Sequence, residues 1–165
     1  MKDALSIHRL LLENETTHEI VRLPRLITCA DELPEVLGLP PGRCLCTRLY
    51  AHPGSGGRGL VAVIVTAGTW PSVGAVAGAL HVVAVSHAPD DLVNEATDYA
   101  ADLVAPLMLP DDITMLVDQR AACVDDIVYT PTGEVCTALG IRTLDLFALC
   151  DAEPVRLPPA TGHAV

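Results

Sequence analysis

The spacing of apolar positions switches between a helical and a strand period along this chain, and the switches outline its elements. Ala4, Ile7 and Leu11 recur at helical spacing behind Asp3, a natural cap, and predict a helix over Ala4–Glu15. THEIVRL, Thr17–Leu23, alternates and carries β-branched residues, which predicts a strand that Pro24 ends. Thr28 caps an expected second helix through Asp31, Glu32 and Val36, closed by Gly38 and the Pro40–Pro41 pair. Arg43–Ala51 is an expected strand, and HPGSGGRG, His52–Gly59, a flexible loop. LVAVIVT, Leu60–Thr66, is apolar at every position but the last, the mark of a central strand buried on both faces. The simplest join of these two strands is a hairpin.

The second half continues in the same mixture. Ala67–Pro71 turns the chain, and Pro71 opens an expected helix over Ser72–Leu80. His81–Ser86 is an expected strand, and Pro89, Asp90 and Asp91 start another helix, with acids suited to its positive end. The stretch Thr97–Asp118 then runs from a helix end, past Pro106 and Pro110, into an apolar strand, Ile113–Val117, that ends on Asp118. Asp126–Thr130, the turn Pro131–Gly133 and Glu134–Leu139 form a hairpin-like unit, and Thr143 caps a last helix, Leu144–Cys150. Hairpins beside crossovers point to an α/β mixed (α+β) fold, a single domain over residues 1–150 with one mixed β-sheet and flanking helices. Residues 151–165, rich in proline, are an expected loose tail.

Composition narrows the function. The 165 residues suffice for one domain with a real core, and aromatics at 3% leave that core to Val, Leu, Ile and Ala. A net charge of −11 argues against gripping long nucleic acid or DNA, while leaving recognition of an RNA end open. Met1–Glu15 mixes Lys, Arg and Glu with apolar positions, unlike a secretory leader, and no apolar run approaches the ~20 residues of a membrane span. The cytoplasm is the expected compartment, with the six cysteines as reduced thiols. Only Cys44 and Cys46 lie close together, and no second Cys or His pair has zinc-site spacing, so neither metal nor cofactor is expected. Phosphate-loop, nucleophile-elbow and zinc-protease motifs are absent, and none of the six histidines has a Ser or Cys partner at a recognisable spacing.

The order of these segments resembles the YbaK / prolyl-tRNA-synthetase-associated domain family of single-domain aminoacyl-tRNA deacylases. The likeness spans Ala4–Cys150: THEIVRL resembles the family's first strand, VLGLPPGRC its helix end and turn, and LVAVIVTAG its apolar strand. TDYAADLVAPLML stands where the family has a Gly-Gly-hydrophobic-Ser-Pro loop, ITMLVD resembles a strand ending in Asp, and DIVYTPTGEVCTALGI with TLDLFAL resembles the closing hairpin and helix. The resemblance implies hydrolysis of mischarged aminoacyl-tRNA in trans, with the tRNA 3′ end as partner, a synthetase as a further one, and no cofactor. It implies Cys46 and Asp118 as catalytic positions, to which strand geometry adds Arg48, and Thr47, Asp102, Ala105, Pro106 and Gly133 as substrate-binding ones. The deacylase reading fails if Cys46, Pro106 and Asp118 do not border one cavity.

This chain also departs from the family pattern. The family's lysine falls on Cys46, and the loop's glycines and serine fall on Asp102, Leu103 and Ala105. Strand alternation puts Cys44, Cys46 and Arg48 on one face, so Arg48 either reaches where the lysine would act or is a solvated charge at the strand mouth. Cys46 is either a nucleophile or a small core thiol. Asp118 either orients the ribose or a water, or caps a short helix at Gln119–Cys123. A binding module that has lost catalysis, and an esterase acting on a small acyl ester, are the competing functions.

Overall fold

A computed structural model describes residues 1–54 and 57–158. It is a mixed α/β domain with two sheets and, among the described residues, six α-helices. The helices are α1 (Ala4–Glu13), α2 (Leu33–Leu37), α3 (Val73–Leu80), α4 (Asp90–Thr97), α5 (Gln119–Ala122) and α6 (Thr143–Leu149). The strands are β1 (His18–Arg22), β2 (Leu45–Gly54), β3 (Gly57–Thr66), β4 (Ser86–His87), β5 (Thr114–Asp118), β6 (Ile127–Pro131), β7 (Thr137–Arg142) and β8 (Glu153–Val155). The single expected sheet is thus two. One is antiparallel, in the order β1-β7-β6. The other is mixed, in the order β4-β2-β3-β5-β8, with β2 and β3 a hairpin and β5 parallel to both β3 and β8. An isolated bridge from Cys44 to Tyr129 joins the two sheets.

The larger sheet is buried on both faces, and strand alternation sorts its side chains into two cores. Leu45, Leu49, Leu60, Ala62 and Ile64 pack with Ile7, Val93 and Val104. Cys44, Cys46, Tyr50, Val61, Val63 and Val65 pack with Leu33, Val76 and Leu103. Each of Val61–Val65 is fully buried, as the unbroken apolar run of β3 predicts. The six cysteines are all free.

Local chemistry accounts for several element ends. Asp3 caps α1 by accepting from the Ser6 amide at 2.9 Å, and Ser72 caps α3 by accepting from Ala75 at 3.0 Å. Pro71 therefore precedes the α3 cap and is not its first residue. Thr28 caps nothing; its amide donates to Glu32 at 2.7 Å, and a 3-10 turn, Ala30–Glu32, leads into α2. Thr143 is the first residue of α6, and its hydroxyl donates to the Asp126 carbonyl at 2.9 Å.

Other expectations are displaced. The strands of the hairpin extend to a Gly54–Gly57 pair, so most of the glycine-rich segment is strand, with Ser55 and Gly56 outside the described residues. His81 takes the left-handed conformation that ends α3, which shrinks the expected strand there to Ser86–His87. The return strand of the late hairpin starts at Thr137, three residues beyond its expected place. The segment expected as a tail adds β8 to the sheet and buries Leu157, while residues 159–165 lie outside the described residues.

Candidate functional site

One edge of the large sheet is only half covered. β4 pairs with Tyr50 and Ala51 of β2, and the Ala88 amide donates to the Leu49 carbonyl at 3.1 Å. Toward Leu45 no strand among the described residues continues that pairing until the isolated bridge of Cys44 to Tyr129 of β6. A residue's N–H and C=O point to one side of an antiparallel strand and alternate residues share that side, so the backbone groups of Thr47 face the same open edge as those of Leu49. A cavity of about 520 Å³ lies against this edge. Residues 28–31, Cys46, Arg48 and Trp70 bound it, together with His87, Ala88 and Asp90 at the start of α4 and Ala101, Asp102 and Val104 from the stretch after α4.

Arg48 is the centre of the wall. Its guanidinium donates to both Asp31 carboxylate oxygens, at 2.9 and 2.8 Å. It also donates to the Thr69 carbonyl at 3.2 and 2.9 Å, and it stacks 3.5 Å from the Trp70 ring centre. The Asp31 carboxylate in turn accepts from the Gly68 amide at 2.8 Å and, more weakly, from the Cys46 thiol at 3.7 Å. With 7% of its side chain exposed, Arg48 is not a solvated charge, and with all three guanidinium nitrogens engaged and its charge paired with Asp31 it is not a free cation either. Burial raises the Asp31 carboxyl, but hydrogen bonds from Arg48 and Gly68, with the Arg48 charge, outweigh it and hold the carboxyl below its usual range.

Cys46 is buried, and burial pushes its thiol well up, with the Arg48 charge opposing only in part. It packs as a core thiol, in surroundings that favour the neutral form. Asp102 is exposed at the rim; partial burial first, then the neighbouring charges of Asp90 and Asp31, raise its carboxyl. Because Arg48 neutralises Asp31, the uncompensated charge around the cavity is negative and comes from Asp90 and Asp102. Thr47 also lines the cavity, and its buried hydroxyl has no hydrogen-bond partner.

The structure does not gather the remaining expected residues here. Ala105 is fully buried in the core on the α1 and α4 side. Pro106 borders a different cavity, of about 810 Å³, with Leu107–Asp111, Ile113–Met115 and Leu149–Glu153. Asp118 turns away from both and caps α5, accepting from the Arg120 amide at 3.0 Å and the Arg120 guanidinium at 2.7 Å. Gly133 lies in a turn beneath Lys2 and Tyr99. Cys46, Pro106 and Asp118 therefore do not share a cavity: a strand-end carboxylate followed by a helix satisfies the helix's free amides before it serves a pocket. Asp118→Ala should cost about 1 kcal/mol, the loss of one cap, with ligand binding at the β2 cavity unchanged. A denaturation midpoint and a binding isotherm check both halves.

Asp31, Trp70, His87 and Asp90 are wall residues that sequence reasoning did not single out. Trp70 carries the one signal available, as the only tryptophan, placed in the turn directly after the apolar strand.

A mixed α/β domain with an acid-rimmed cavity at a free strand edge is equipped to hold a small polar ligand bearing a cationic group. The model of the aminoacyl-tRNA editing domain matches residues 26–149, three quarters of the chain, and the chain belongs to that family. Among solved structures it resembles a "putative trans-editing enzyme for prolyl tRNA synthetase", at a TM-score of 0.75 and 18% identity over 93% of this chain and 96% of that one. It also resembles the hypothetical protein APE2540, at a TM-score of 0.79 and 18% identity over 92% and 97% of the two chains. At these identities the likeness is one of fold. No curated protein matches the chain. No helix among the described residues is long and apolar enough to cross a membrane.

Proposed function

We propose that this domain hydrolyses, in trans, the ester that joins a wrong amino acid to the 3′ end of a tRNA. The carrying observation is the cavity against the open edge of β2, which lies within the residues matched to the editing family. Its volume suits a small ligand, and its rim carboxylates, Asp90 and Asp102, complement the ammonium group of a free aminoacyl ester. The Thr47 amide, on the open strand edge, is placed to donate to the ester carbonyl as charge develops on it. Water adds to that carbonyl, the ester C–O bond breaks, and the ribose oxygen leaves with a proton. Neither Cys46 nor Arg48 reacts: the thiol stays protonated, and the guanidinium holds the wall through Asp31. The aminoacyl-tRNA is the partner this reading requires, with an aminoacyl-tRNA synthetase as its source and the cytoplasm as the place.

Two observations favour a second reading. Cys46, Pro106 and Asp118 do not border one cavity, as the family's site residues are expected to. Among the described residues no free cation lines the cavity, since the charge of Arg48 is spent on Asp31, and this suits a domain that binds an aminoacyl group or a synthetase without cleaving it. Incubation with a panel of mischarged tRNAs, for the wild type beside Cys46→Lys, separates the two. Release of amino acid by the wild type is the expected result. Activity in the variant alone would mean a site that has lost its cation, and activity in neither would leave the binding module.

A further inference from the structure

We infer that Trp70 is a stacking platform for a nucleobase at the mouth of the β2 cavity. The inference rests on the reading that the cavity takes an ester at the end of a nucleic acid. The indole borders the cavity, yet it is 47% exposed, while Tyr50 and Tyr99 are fully buried. One ring face is already covered by the Arg48 guanidinium at 3.5 Å, and the His87 ring lies 6.2 Å away with 71° between the planes. With 47% of the residue exposed, surface of the indole is left for a planar ligand.

The backbone holds that plane in place on both sides. The Gly68 amide donates to Asp31, the Thr69 carbonyl accepts from Arg48, and the Pro71 carbonyl accepts from the buried Tyr50 hydroxyl at 2.8 Å. The turn that presents the indole is therefore fixed before any ligand arrives, so little ordering is needed on binding.

Charge gives the platform its purpose. The chain carries a net −11, and the rim carboxylates Asp90 and Asp102 repel a phosphate backbone. With Arg48 spent on Asp31, no positive charge among the described lining residues is left to attract the phosphates. Stacking needs no counter-charge and accepts any base, because every base has a π face. A base on Trp70 would leave the ribose and its ester directed at the β2 edge and the phosphates directed to solvent.

Trp70 is the only tryptophan, so its emission reports the contact directly. The probes are an amide-linked, non-hydrolysable aminoacyl-adenosine and the matched aminoacyl-ribose that lacks the base. The wild type should bind the base-containing probe roughly tenfold or more tightly than the abasic one, with quenching of its emission. By calorimetry, Trp70→Leu should lose that preference and Trp70→Phe should keep most of it, both with wild-type circular dichroism. Equal affinity of the wild type for the two probes, or an undiminished preference in Trp70→Leu, overturns the platform and leaves the deacylase reading standing. Failure to bind either probe, together with no release of amino acid from mischarged tRNA, overturns both.

Discussion

An Arg48→Ala variant is expected to melt about 5–10 °C below the wild type, a loss on the order of 2–3 kcal/mol for a chain of this size. The side chain has no exposed charge to give up. It is 7% exposed and ends in a two-pronged ion pair with Asp31, whose own side chain is 24% exposed. Removing one partner of a fully buried pair costs roughly 3–5 kcal/mol, because the other charge stays in place without a counter-ion, and the access of water to Asp31 reduces that figure. The variant also uncovers one face of Trp70 and frees the Thr69 carbonyl, so the cavity wall and the fold fail together. Unchanged melting with lost deacylation would instead put the guanidinium on the substrate.

The same pair sets an acid limit. The folded Asp31 carboxyl titrates below its ordinary 3.8, so the pair contributes fully above that value and is lost as the pH falls through the lower, folded one. Wild-type stability should drop in that acid window. In Arg48→Ala both lowering influences of Arg48 on Asp31 are gone and only the hydrogen bonds from Gly68 and Cys46 oppose burial, so that component of the acid loss should shrink. Denaturant midpoints measured in steps below pH 5 compare the two proteins.

What could be read in advance followed the range of the interaction concerned. β3 announces itself because burial on both faces leaves an unbroken apolar run, and β1 because alternation is a property of consecutive residues. The shared face of Cys46 and Arg48 follows from the same alternation, and both do line the cavity. The Asp31 partner was hidden, since it stands 17 residues upstream in a 3-10 turn that looked like helix. β8 was hidden for a similar reason: Glu153–Val155 is a strand only because β5 offers it an edge. Asp118 and Pro106 failed differently. Each has a local use, a cap and a loop, and that use was met within its own segment.

Gly133→Ala should be as damaging as the loss of Arg48, although Gly133 borders neither described cavity around Cys46 or Pro106. Its φ of +93° lies where an L side chain is strained, at about 1–3 kcal/mol. A Cβ there would also stand 2.5 Å from the Lys2 carbonyl oxygen and 2.9 Å from Tyr99 Cδ1. The first of these is backbone, so the turn or the N-terminal segment must move, at a further ~1–3 kcal/mol. Lys2 is tied down in turn: its amide donates to the Asp98 carbonyl and its ammonium to the Thr97 carbonyl, both at 2.7 Å. Tyr99 is held by its hydroxyl on the Leu107 carbonyl at 2.8 Å and leads, two residues on, into Ala101–Leu103, which carries Asp102 to the cavity rim. Displacing Tyr99 therefore shifts a wall of the site, and Gly133→Ala should weaken the non-hydrolysable aminoacyl-adenosine probe as well as lower the denaturation midpoint. Gly38→Ala is the matched control. Gly38 has a φ of +66° with nothing within 4 Å of an added Cβ, so that variant should lose only ~1 kcal/mol and leave probe affinity unchanged. Equal losses in the two variants would show that backbone conformation alone sets the cost, and that the contact of Gly133 with Lys2 and Tyr99 contributes nothing to the site.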